Sequence, residues 1–271
     1  MLNNLCRRVF VTVASLVIGS TWATADDAAA DVRSPEVSGT SDGRVAENRA
    51  AENHAAENLV AEIRVDDPGW RTLGPDDFAA VNGDDDTWRW DGDTLRCTGE
   101  PLGVIRTAKT YRNVEITLRW MHERRGGNSG LFVWVSPESV RRLADPPTPG
   151  LPDGVEVQML DHGFTEIMAA RGEDTSWFGT NGDVFGVNKA FDPFPPTSPD
   201  GSRSFPLEKR SHGHGRWNRY YVRAIDGEVR LWVNGVEVSG GNGVDPASGY
   251  LCLESEGSPI RFEDIRVREL P

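Results

Sequence analysis

A chain of 271 residues with 42 acidic and 29 basic side chains carries a formal net charge of −13. That balance argues against nucleic acid and anionic membrane surfaces as partners, because there is no basic excess to displace counterions. Neutral saccharides or cationic surfaces are the easier partners.

Residues 1–25 read as an export signal: Arg7 and Arg8, an apolar run from Val9 to Ile18, then Ala23-Thr24-Ala25 as a small-residue cleavage site. The run is too short for a permanent bilayer anchor, so no stable membrane insertion is expected. Arg7-Arg8-Val9-Phe10-Val11 also fits a twin-arginine signal. The expected location is therefore periplasmic or extracellular. Cleavage removes Cys6 and leaves Cys97 and Cys252, either as a disulfide in an oxidising compartment or as two buried thiols. Residues 26–65 are rich in Ala, Glu and Asn and repeat Glu47-Asn48, Glu52-Asn53 and Glu57-Asn58. A five-residue period follows neither a helix face nor a strand face, so this stretch reads as a low-complexity linker.

Residues 66–271 read as one folded domain. Trp88 to Cys97 predicts a hairpin around Asp91-Gly92, and Val114, Ile116, Leu118 and Trp120 alternate with polar residues as a half-buried strand. Gly126 to Gly130 is a turn, and Leu131 to Val135 a buried strand. A Pro-rich loop over 145–152 precedes a strand at Gly154, and a return strand is expected near Thr165 to Ala170. Residues 171–216 lack periodicity but hold Trp177, Phe178, Phe185, Phe191, Phe194 and Phe205, which predicts a packed covering loop. Tyr220–Ile225 and Glu228–Val233 pair across Asp226-Gly227, and Asn234-Gly235 turns into the next strand. Gly249–Glu254 and Ile260–Val267 supply the last two. Many strands, many turn signals and no long helix predict an all-β antiparallel sandwich.

The chemistry centres on Gly154-Val155-Glu156-Val157-Gln158-Met159-Leu160-Asp161. Strand alternation turns Val155, Val157 and Met159 into the core, and Glu156 and Gln158 to the other side. One irregular residue brings Asp161 onto the Glu156 face. Such a constellation serves acid/base chemistry or holds a metal; a solvent-facing strand is the plain alternative.

Cys97-Thr98-Gly99-Glu100, Asn128-Ser129-Gly130, Glu156-x-Gln158-x-x-Asp161, Gly215-x-Trp217-Asn218, Asn234-Gly235, Gly249 to Gly257 and Phe262-Glu263-Asp264-Ile265 occur in that order. Together they resemble the 3-keto-disaccharide hydrolase domain family from about Trp70 to Leu270. The resemblance implies a concanavalin A-like jelly roll of two curved sheets, with the site on the concave face. It also implies secreted, sugar-directed proteins acting on glycosides oxidised at C3. Asn181 stands where one subgroup leads one to expect His. Glu-x-Gln-x-x-Asp is also similar to the Glu-x-Asp-x-x-Glu of retaining glucanases, with the middle acid replaced by an amide.

A ketone at C3 acidifies the C2 hydrogen, so cleavage by elimination needs a base, an oxyanion stabiliser and an acid for the leaving group. The expected catalytic residues are Glu156 as base, Asp161 assisting at the leaving group and Gln158 orienting the sugar. Arg119, Arg171, His162 or a bound cation are the candidates for the oxyanion. Glu254 and Glu256 share a strand face and either join Glu156 or mark a solvated surface. Asn128 is a turn residue with a sugar contact in reach, and Trp177 is a stacking platform in the covering loop. No motif requires a cofactor; a hard divalent cation held by Glu156, Asp161 and water is the one the residues allow. The rival reading is a non-catalytic, lectin-like binding module of the same fold.

Overall fold

The computed structural model describes residues 68–179 and 181–271. The signal and linker readings fall on residues 1–67, outside the described residues. Two antiparallel sheets make a β-sandwich. Its strands are β1 (Arg71–Thr72), β2 (Phe78–Ala80), β3 (Trp88–Asp91), β4 (Thr94–Cys97), β5 (Gly103–Thr107), β6 (Val114–His122), β7 (Gly130–Val135) and β8 (Gly154–Gln158). They continue with β9 (Val184–Val187), β10 (Asp192–Pro193), β11 (Arg203–Ser204), β12 (Asn218–Ile225), β13 (Glu228–Val233), β14 (Val236–Asn242), β15 (Tyr250–Ser255) and β16 (Ile260–Glu269). The first sheet runs β10-β14-β13-β12-β6-β16-β4-β3, with β1 also paired to β16; the second runs β11-β9-β8-β7-β15-β5-β2.

Alternation fixes which side chains meet between the sheets. Ile116, Leu118 and Trp120 of β6, and Tyr220 and Val222 of β12, face Leu131, Val133, Val155, Val157 and Leu253 across one core. The two-residue turns between these strands are legible in sequence. Asp226-Gly227 and Asn234-Gly235 both adopt positive φ at both positions, which suits the right-handed twist of the flanking strands. The first hairpin turns one residue later than expected, on Gly92-Asp93, because Asp91 still pairs with Thr94.

Two short helices depart from the strand-only expectation. Helix α1 (Pro137–Ala144) begins at Ser136, whose side chain accepts from the Ser139 amide, and Pro137 occupies its first turn. It lays Val140 and Leu143 over Phe132, Val104 and Cys252 on the far side of the second sheet. Residues 165–170 are not a return strand: they belong to helix α2 (His162–Ala170), capped by Asp161. The covering segment 171–216 is more regular than its composition suggests, since β9 and β11 extend the second sheet and β10 extends the first.

Cys97 and Cys252 are free and buried. Cys97 lies in the inter-sheet core while Cys252 points to the α1 side, so a sheet separates the two thiols and the disulfide alternative is excluded. No helix among the described residues is long and apolar enough to cross a membrane.

Candidate functional site

The second sheet turns one face to the core and the other toward α1 and the covering segment. On that other face, strand register aligns Arg203 with Phe185, Phe185 with Glu156 and Glu156 with Phe132. Two residues along β7, on the same face, is Gly130, paired with Gln158. An ideal Cβ on Gly130 would stand 2.9 Å from Glu254 Oε2 and 3.1 Å from Glu156 Oε1. Both carboxyl oxygens thus crowd the volume that any other residue at 130 would fill. Glu256 follows on the same side, bridged to Asn128, whose Nδ2 donates to its carboxylate.

Three glutamates therefore share one patch, and burial is the largest influence on each. Loss of water, then the charge of Glu256, pushes Glu156 up to about 8, with Arg203 opposing. Glu254 is raised well above the ordinary carboxyl range by burial, then by Glu256 and Glu156. Glu256 is raised by burial, against the hydrogen bond from Glu254 and the pull of Arg203 and Asn128. Behind Arg203, burial lifts Asp183 to about 6, although it accepts the Gly179 amide at 2.7 Å.

Arg203 is the cation facing this group. Its guanidinium lies 3.5 Å from the Phe185 ring centroid and 4.9 Å from that of Trp177, and 4.0 Å from Asp183. Trp177 is 45% exposed, the outermost part of the assembly. It is held by edge contact with Phe178, which in turn meets Phe164 of α2.

The structure thus brings Glu156, Glu254, Glu256, Asn128 and Trp177 together around Arg203. Gln158 shares the Glu156 face, but its Oε1 accepts its own neighbour's amide, that of Met159, at 3.0 Å.

Asp161 is a correction. Its carboxylate accepts the amides of Gly126 at 2.7 Å, Gly163 at 2.9 Å and His214 at 2.7 Å, so it caps α2 and pins two loops. Burial alone would raise its pKa, but those amides outweigh burial and hold it below the ordinary value. A carboxylate so committed is an anchor, and the charges acting on Glu156 are those of Glu256, Arg203 and Asp183.

The expected oxyanion groups sit elsewhere too. Arg119 lies on the outer face of the opposite sheet, 3.6 Å from Glu263 and stacked over Trp217. His162 opens α2 and bonds Ser211 at 2.7 Å, and Arg171 closes the same helix, exposed. Among the described residues no group of three or more His, Cys, Asp or Glu is arranged to hold a metal ion. Sequence reasoning missed Arg203, which stands in an aperiodic stretch with no motif around it. It also missed Gly130's part, which shows only once β7 lies between β8 and β15.

The two antiparallel sheets place the molecule in the all-β, jelly-roll sandwich class, and one outer sheet face carries a cluster of acids beside Arg203 and an exposed tryptophan. The family comparison is more particular. The chain belongs to the 3-keto-alpha-glucoside-1,2-lyase-like domain family, which it matches over residues 66–268.

No match was found among curated proteins. Two solved structures from Parabacteroides distasonis ATCC 8503, both described as candidate glycosyl hydrolases, share the fold. One is 22% identical over 75% of this chain and 94% of its own, with TM-score 0.50; the other is 17% identical over 74% and 99%, with TM-score 0.51. A carbohydrate binding module from Bacillus subtilis is more distant, at 10% identity over 71% and 96%, with TM-score 0.47.

Proposed function

We propose that this protein cleaves 3-keto-disaccharides or related 3-keto-glycosides by elimination and hydration on the outer face of its second sheet. Glu156 removes the C2 proton, Arg203 faces the oxygen at C3 as negative charge develops there, and Glu256 serves the leaving group. Asn128 and Trp177 seat the sugar. The observation that carries the reading is the Glu156 carboxyl, 3% exposed and pushed up to about 8 beside a single guanidinium. A base of that strength is matched to a carbon acid near neutral pH, where about a tenth of it is ionised.

Family membership supports the substrate class. Export of a protein released after residue 25 belongs to the same proposal; N-terminal sequencing of the secreted form tests it. The catalytic reading is tested by incubating purified protein with 3-keto and unmodified disaccharides, with and without chelator. Free glucose released only from the oxidised members is the expected result. Full turnover by Glu156→Gln would remove Glu156 from the role of base.

The exposed Trp177 ring favours a second reading, a binding module without turnover. That reading expects saturable sugar binding, quenching of tryptophan fluorescence and no product. An adhesion domain would call for a broad exposed apolar patch; among the described residues the exposed large apolar side chains are Trp177 and Leu207.

A further inference from the structure

Glu254 stands out among the buried acids. It is fully buried on β15, paired with Val104 on one side and abutting Gly130 on the other. No donor among the described residues reaches either of its oxygens. Two other buried carboxylates are supplied: Glu115 by the Tyr221 hydroxyl and Arg268, Asp161 by three amides. Its neighbours are instead acids: Glu256, two residues on along the same face, and Glu156, whose Oε1 crowds the same Gly130 position as Glu254 Oε2. Carboxyl groups packed together out of water are held there only when one carries a proton, because carboxylates have acceptors alone and repel. Glu256 already accepts from Asn128 and feels Arg203, so it is the ionised member and Glu254 the neutral one. Glu256 also keeps partial exposure, whereas Glu254 has none. Whatever Glu254 does to a ligand it does through Glu256.

We propose, resting on the reading above, that Glu254 is a positioning acid whose proton is shared with Glu256 and delivered through it to the oxygen leaving C1. In the elimination the C2–H bond breaks, its proton going to Glu156 and its electron pair into the C2–C3 enolate. The enolate collapses to a C1–C2 double bond as the C1–O bond breaks, and the departing oxygen takes a proton from Glu256. That proton is the single one the pair shares: it passes from Glu254 to Glu256 as Glu256 hands it on, which leaves the pair with none. Water then adds at C1, its proton restoring the pair, and Glu156 returns its proton to C2. The cycle closes without an outside acid.

Two measurements on the full protein decide this. Infrared spectra at pH 9, above the range of Glu156, are expected to show a protonated carboxyl band that E254Q abolishes; a spectrum without such a band overturns the shared proton. In kinetics, E254Q is expected to slow a 3-keto disaccharide, whose leaving alkoxide needs a proton, at least about tenfold more than 4-nitrophenyl 3-keto-glucoside, whose leaving group does not. E256Q, which breaks the same relay one step later, gives the same discrimination and serves if E254Q fails to fold. Equal slowing of both substrates means that Glu254 only supports the structure, and overturns delivery. Wild-type protein that turns over neither substrate sinks the hydrolase reading and the delivery step with it, while the infrared band still decides where the proton resides.

Discussion

Glu115 and Glu156 are buried to nearly the same degree, 4% and 3% exposed, on strand interiors of opposite sheets. Their surroundings differ completely. Glu115 accepts from the Tyr221 hydroxyl at 2.6 Å and Arg268 Nε at 2.5 Å, with Arg223 at 3.6 Å. It belongs to an outer face laced by cross-strand pairs such as Arg230 with Glu237 and Arg219 with Asp264. Glu156 meets no protein donor among the described residues, and its nearest charges include other acids. Burial alone does not decide what a carboxylate is for; the supply of donors does. A supplied carboxylate holds strands together, whereas an unsupplied one keeps its proton and is ready to trade it.

Four experiments break or sharpen this contrast. The largest effect is expected from Glu156→Gln, which should lower kcat on a 3-keto-glycoside by about 100-fold or more while leaving Tm unchanged or higher. An amide fills the same space without the cost of a buried charge. Glu115→Ala should do the opposite. Turnover per folded molecule stays the same, and urea denaturation shows a loss of about 2 kcal/mol. That is below the range for a fully buried pair, because Arg268 and Arg223 keep some access to water.

The third test is the dependence of stability on pH. Between about 4.5 and 8 the native protein keeps a proton on Glu156 that the unfolded chain has released. Stability therefore falls as pH rises through that window and levels off above it, by at most about 1.4 kcal/mol per pH unit for each such group. Glu254, also raised, contributes in the same direction. Asp161 has the reverse sign: its pKa is lowered, so its contribution is present above 3.8 and lost as pH falls through the folded value. Urea titrations from pH 3 to 9 should show both limbs, and Glu156→Gln should flatten only the upper one. The smallest effect belongs to Trp177→Ala, which should raise KM about fivefold with a smaller change in kcat, as expected for a lost stacking face.

The strands were legible because they obey a period of two with Asn-Gly and Asp-Gly punctuation, and Glu156 was legible because it breaks an apolar strand on the side away from the core. Glu254 and Glu256 could be placed on a shared face, but joining Glu156 stayed one of two alternatives, since choosing it needs the order β8-β7-β15. Asp161 and the expected strand at 165–170 were misread for one physical reason. An Asp ahead of a short helix is its cap, and recognising α2 would have assigned the carboxylate to the Gly163 amide at once. Arg203 was not legible at all. It reaches the site through β11, a two-residue strand in a segment whose own composition predicts only packing.

The separation of the two thiols has a practical consequence. Cys97 and Cys252 report on different layers, one between the sheets and one beneath α1. Burial pushes the Cys97 thiol up to about 11 and raises Cys252 as well, so neither reacts while the native packing persists. A thiol reagent applied under native conditions therefore clocks two openings in one chain. Labelling at position 252 times the lifting of the helix, and labelling at position 97 times the parting of the sandwich itself.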